Sequence, residues 1–166
     1  MATELEDLRI LKTAEDIADA VWKQVVVWDE FAKDVVGKQM ARATDSIGAN
    51  IAESYGRFNY GEKLQFLYYS RGSLFEAKYW LNRALVRKLM QTEEVKGYAA
   101  RLSEVARQLN TFANSLKTQR SDSKSQSKTV REPNAEYAVE DLFGDSTPLF
   151  TNIELNWLES ETVSSL

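Results

Sequence analysis

The 166-residue chain contains no cysteine and no histidine. Without cysteine there are no disulfides and no thiol nucleophile. Without histidine there is no imidazole acid/base catalysis, and the two absences together remove the usual ligands of zinc and haem. Most familiar hydrolase and oxidoreductase mechanisms are excluded with them. No run approaches the ~20 apolar residues of a membrane span. The N-terminal stretch carries Glu4, Glu6 and Asp7 where a secretory signal needs a basic and then an apolar region. These absences predict a soluble, cytoplasmic protein with no membrane partner.

Hydrophobic residues make up 43% of the chain and aromatic residues 11%, enough for one domain with a core and too much for a wholly disordered chain. The net charge of −4 is unevenly spread. Residues 35–120 hold fourteen Lys and Arg against seven Asp and Glu, a net of +7, whereas residues 121–166 hold three against nine, a net of −6. A basic body therefore carries an acidic tail that could compete with any anionic partner of that body.

Apolar residues recur at three- and four-residue spacing over four stretches, which predicts an all-α chain. After a short lead-in over residues 1–12, the first helix is expected from Thr13, as N-cap with Asp16 three residues on, to near Glu30. Ile17, Val21, Val25 and Trp28 share its inner face. A connection over 31–34, with Asp34 as cap, leads to a second helix over about 35–57 with Met40, Ala43, Ile47, Ile51 and Tyr55 inward. Gly37 and Gly48 each weaken that helix by about 1 kcal/mol, and Gly48 is expected to let a neighbouring helix approach closely. The glycine-bracketed segment 56–61 is a turn whose glycines serve backbone angles.

The third helix, about 60–89, is the longest expected, and its apolar residues from Leu64 to Leu89 extend more than halfway round. A second buried face is implied, and oligomerisation is the economical way to cover it. The fourth, about 92–119 with Thr92 as N-cap, carries the regular stripe Val95, Ala99, Leu102, Ala106, Leu109, Ala113 and Leu116. Residues 121–129 contain no apolar side chain and read as a flexible linker. The remaining tail holds both prolines, Pro133 and Pro148, and two apolar clusters at 139–143 and 149–158. It reads as mostly disordered, with docking of the second cluster on the bundle or on a partner as the alternative. The domain division is a four-helix bundle over 1–120 and a flexible acidic tail over 121–166.

Three constellations could carry chemistry. The run from Gly56 to Lys63 lacks the strand and the Lys-Ser/Thr pair of a phosphate loop. Glu53 and Glu76 lack the Glu-x-x-His pairs of bundle metal sites, so neither a metal nor a cofactor is implied. Asn50, Glu53, Arg71, Ser73 and Glu76 read instead as a structural polar cluster, because folding the two helices back about Asn59 sets Arg71 beside residues 47–50. Direct ligand contact by Arg71 stays open. Basic residues form two groups, Arg83, Arg87, Lys88, Arg101 and Arg107 on the last two helices, and Lys38, Arg42, Arg57 and Lys63. Such groups support sequence-independent RNA or DNA binding through phosphates, though a solvated helix face has the same composition.

The runs SIGANIAESYGR (46–57) and SRGSLFEA (70–77) resemble the pattern S-I-x-x-N-I-A-E-G-x-x-R followed by A-R-G-S-L-x-E. That pattern belongs to a bacterial four-helix-bundle family first noted in intervening sequences of 23S ribosomal RNA genes. The likeness covers about residues 13–119, with Ser54 where glycine is usual, Gly48 where proline is common and Ser70 where alanine is usual. It implies an up-down-up-down four-helix bundle assembled as a ring-like homopentamer without catalytic activity. Asn50, Glu53, Arg71, Ser73 and Glu76 match the family's polar positions, and Arg57 its basic one. A related group, the accessory proteins of diversity-generating retroelements, implies nucleic acid and a reverse transcriptase as partners. The expected function is a non-enzymatic oligomeric scaffold that binds nucleic acid or a nucleoprotein through its basic surface. The alternative is a protein-interaction module whose acidic tail recruits a partner.

Overall fold

The computed structural model describes residues 8–126 and 148–156. Its main elements are four helices. Helix α1 is Arg9–Val25. Helix α2 (residues 30–56) is one rod made of Glu30–Ala32, a π turn over Lys33–Gly37, and Lys38–Gly56. Helix α3 is Tyr60–Val86 and α4 is Thr92–Gln126. Short connections make successive helices antiparallel. α2 packs on α1 and α3, and α4 packs on α3 and α1, which closes a four-helix, up-down-up-down bundle. The 26–29 and 87–91 connections therefore share one end and the 57–59 connection lies at the other.

The core follows from the spacing. Ile17, Val21 and Val25 of α1, Met40, Ala43, Ile47 and Ile51 of α2, Leu67, Leu74 and Leu81 of α3, and Val95, Ala99, Leu102, Leu109 and Ala113 of α4 are all buried. Steps of three and four keep each stripe facing its neighbours. Trp28 and Tyr55, expected inside, are only half buried, as is Ala106, beside which Val105 turns in.

Several boundaries differ from those the sequence suggests. α1 starts at Arg9, because buried Ile10 and Leu11 carry its stripe back. Thr13 is not a cap: its hydroxyl donates to the Arg9 carbonyl at 2.9 Å. α1 stops at Val25, and Asp29 rather than Asp34 caps α2, accepting from the Ala32 N–H at 3.0 Å. Asp34 instead pairs with Lys38 one turn on. The π turn adds one residue, so Val36 and Gly37 both face inward. A Cβ on Gly37 would lie 2.5 Å from Val25 Cγ1, whereas one on Gly48 would meet Leu11 and Ala14 at an ordinary 3.7 and 3.8 Å. The close approach expected at Gly48 is thus made at Gly37.

The turn over 57–59 uses extended angles at Arg57 and Asn59, and no described glycine has a positive φ. Gly56 and Gly61 therefore do not serve special backbone angles. α3 ends at Val86, earlier than expected, in a Schellman motif: Lys88 N–H donates to the Leu85 carbonyl and Leu89 N–H to the Ala84 carbonyl, both at 2.9 Å. Lys88 takes the left-handed position there with φ +58°, where glycine is usual. Gln91, not Thr92, precedes α4 as its cap, with its N–H donating to Glu94 at 2.7 Å in half of a capping box. α4 then runs through 121–126, part of the expected linker, since that stretch has no glycine or proline to stop it. The lead-in residues 1–7, linker residues 127–129, the 139–143 cluster and residues 157–158 lie outside the described residues.

Candidate functional site

The seam between α2 and α3 sets small and polar residues among its apolar ones. Ser70 Oγ, on α3, donates to the Ile47 carbonyl of α2 at 2.9 Å, and Ser54 Oγ, on α2, donates to the Lys63 carbonyl of α3 at 2.8 Å. Both serines are fully buried. These bonds set a register with residue 70 opposite residue 47, within a residue of the one that folding about Asn59 implies. They come from two positions that depart from the family pattern, so the sequence alone marked them only as departures.

The five residues expected to form a polar cluster are dispersed. The Asn50 amide donates to the Ser46 carbonyl at 2.7 Å, Glu53 pairs with Arg57, and the Ser73 hydroxyl donates to the Tyr69 carbonyl at 3.1 Å. Glu76 is exposed. Arg71 lies one position round α3 from Ser70, with its guanidinium 5.3 Å from the Phe75 ring, and lines the groove between α3 and α4.

The nine basic residues also do not make one surface. Arg83, Arg87 and Lys88 lie at the end of α3 that borders the 87–91 connection, with Lys38 and Arg42 in the half of α2 nearer the same end. Arg57 and Lys63 lie at the opposite end. Arg101 is turned to α1, donating to the Asp16 carbonyl at 2.7 Å. Arg107 pairs with Glu104 at 2.6 Å, and hydrogen bonds from Arg107 and Gln108 hold the Glu104 carboxyl down to about 2. Arg83 stacks 5.7 Å from the Tyr79 ring. Among the described residues, Arg42, Lys63, Arg87 and Lys88 have no carboxylate partner.

The α3/α4 groove is filled. Leu149 and Phe150 are 4% and 3% exposed, as buried as core residues. Leu149 sits among Arg71, Leu74, Phe75, Ala106, Leu109 and Asn110, leaving a void of about 10 Å³, at the lower limit for one water. Lys78 is the hub: its ammonium donates to the Leu149 carbonyl at 2.7 Å, pairs with Glu154 at 2.7 Å and lies 5.0 Å from the Phe150 ring centre. Thr151 N–H and hydroxyl donate to the same carboxylate at 2.7 and 3.0 Å, and Glu154 N–H donates back to the Thr151 hydroxyl at 3.2 Å. This is a capping box that opens the helical turn 152–156. Burial raises the Glu154 carboxyl, but the Lys78 and Thr151 contacts outweigh it and hold the group below the ordinary range. The Thr151-x-x-Glu154 spacing was readable in the sequence, whereas its lysine partner, 76 residues away, was not.

A second groove, of about 300 Å³, runs between α1 and α2, where Ala14, Ala18, Gly48, Ala49 and Ala52 meet Glu15, Asp19 and Asp45. Burial, then the Asp19 charge, raises the Asp45 carboxyl. Among the described residues no three acidic side chains are grouped to hold a metal ion, and no helix is long and apolar enough to cross a membrane.

The model of the 23S rRNA-intervening sequence protein family matches residues 6–111, which spans α1 to α3 and more than half of α4. No curated protein matches the chain.

Proposed function

From the premise that this chain belongs to the 23S rRNA-intervening sequence protein family, we propose that it is a non-enzymatic oligomeric scaffold that binds RNA or DNA, or a nucleoprotein, through phosphate contacts. No enzymatic activity is known for the family. The observation that carries the binding reading is the end of α3, where exposed Arg87 and Lys88 follow Arg83 and have no carboxylate partner among the described residues, on a body whose net charge is +7 over residues 35–120. Phosphate oxygens supply the missing counter-charge. Part of that cation density complements the C-terminal dipole of α3, and this accounts for one or two charges near the helix end rather than for Arg42.

Self-assembly is supported by the outer face of α3. Phe75, Tyr79 and Val86 are 42%, 56% and 56% exposed and fall at helical spacing along one side with half-buried Tyr68. A stripe of that kind on a single subunit favours a neighbour of its own kind. The family resemblance implies five copies, so light scattering is expected to give five times 18.9 kDa.

The test is a salt series of fluorescence anisotropy with labelled single-stranded RNA and duplex DNA. Binding at low salt that weakens as salt rises, and that falls in the Arg87→Glu/Lys88→Glu variant, supports the reading. Absence of binding to both at low salt removes it. The second reading, a protein-interaction module acting through its tail, is favoured by the seating of Leu149 and Phe150 in a groove rather than in solvent.

A further inference from the structure

The docked segment defines the chemistry of the groove that holds it. Two adjacent apolar side chains enter between α3 and α4, and four residues after the second a carboxylate reaches the Lys78 ammonium. That carboxylate is oriented by its own capping box with Thr151, so folding of the turn and engagement of the lysine are one event. Lys78 also reads the backbone, through the Leu149 carbonyl, so part of the recognition is independent of side-chain identity. The contact is small: of residues 148–156 only Leu149 and Phe150 are buried, while each bundle helix buries a full stripe. The feature is local and charge-dependent, as exchangeable peptide contacts are.

We propose that the α3/α4 groove is a docking site for a short peptide in which an apolar pair is followed by Ser or Thr and, three residues later, by Glu. Residues 149–154 occupy it in cis, and a partner protein presenting the same pattern displaces them. The chain length permits cis occupancy. From Asn110 to Gln126, α4 runs about 24 Å away from the groove, and the 21 residues over 127–147 can span up to ~75 Å. Tethering gives the cis segment an effective concentration on the order of millimolar, so a free peptide of equal intrinsic affinity is held off until the resident leaves. The proposal does not depend on nucleic-acid binding.

The test uses the full chain and a fluorescein-labelled peptide with the sequence of residues 148–156. The Leu149→Asp/Phe150→Asp variant, altered outside all four bundle helices, is expected to keep its helical circular dichroism and to bind the peptide at least tenfold more tightly than the unmodified chain does. Adding Lys78→Met to that variant, or Glu154→Gln to the peptide, is expected to lower binding tenfold or more, as loss of a charged hydrogen bond does. Equal binding by the unmodified chain and the variant overturns the proposal, as does no binding by the variant at millimolar peptide. Concentration-dependent dimers of the unmodified chain that the tail substitutions abolish would place the resident segment on a second copy and overturn the cis assignment.

Discussion

On its α2 side, α3 is joined by two serine hydroxyls that cross the seam in opposite directions, with Leu67 and Leu81 of the same helix fully buried. On its α4 side, the same helix shares a groove with a nine-residue segment that buries two side chains and is tied by one ammonium. Burying a leucine and a phenylalanine contributes about 1.5–3 kcal/mol each, whereas ordering a residue costs about 1–2 kcal/mol. Apolar burial alone therefore does not hold the segment, and the Lys78 contacts decide whether it docks. The hydrogen bonds of the α2/α3 seam join neutral groups and are built to stay closed, while the α3/α4 groove depends on an ion pair and is built to exchange.

The largest effect that would sharpen this contrast is in the core. Ile47→Ala, at a fully buried position facing α3, is expected to cost 2–5 kcal/mol in denaturant unfolding. Phe150→Ala is expected to leave that unfolding midpoint nearly unchanged while releasing residues 148–156. A shift from Phe150→Ala as large as that from Ile47→Ala would break the comparison.

Next come the two glycines of α2. Gly37→Ala forces a methyl against the stiff β-branched Val25, an overpacking cost of about 1–3 kcal/mol. Gly48→Ala meets only ordinary contacts and is expected to stabilise by about 0.5–1 kcal/mol through helix propensity. Paired thermal melts should therefore move in opposite directions. Ser70→Ala is expected to cost about 1 kcal/mol, because the Ile47 carbonyl loses a hydroxyl donor across the seam. That loss should be the same at pH 5 and pH 8, since neither group titrates. The smallest effect is at Lys88: Lys88→Gly relieves a left-handed backbone at about 1–2 kcal/mol but adds unfolded-chain entropy, for a net gain of about 0.5 kcal/mol in melting experiments.

The sequence made the bundle legible because the four apolar stripes are long and regular, and folding about Asn59 came within a residue of the register that pairs residue 70 with residue 47. Helix ends were less legible. Asp29 and Asp34 are equally good caps on paper, and one inserted π residue hardly disturbs the periodicity of α2. The placing of Arg71 beside α2 overlooked an angle: one residue of helix is a rotation of about 100°, enough to bring Ser70 to α2 while Arg71 lines the groove with α4. The basic groups were drawn from neighbouring helices, but an α4 side chain has two seams to choose from, and Arg101 took the one with α1. The Lys78 hub was invisible because nothing local to Lys78 signals a partner in the tail.

The direct test of the difference between the two sides of α3 is native-state hydrogen exchange followed from pH 7 down through the carboxylate range. Docking lowers the Glu154 carboxyl, so its contribution is fully present above the ordinary Glu value and is lost as the pH falls through the lowered one. The amides over 152–156 are then expected to lose their protection on acidification, while those around Ile47 and Ser70 stay protected at both ends of the range. Simultaneous loss in both regions, or retained protection over 152–156 in acid, would contradict the division into a permanent seam and an exchangeable one.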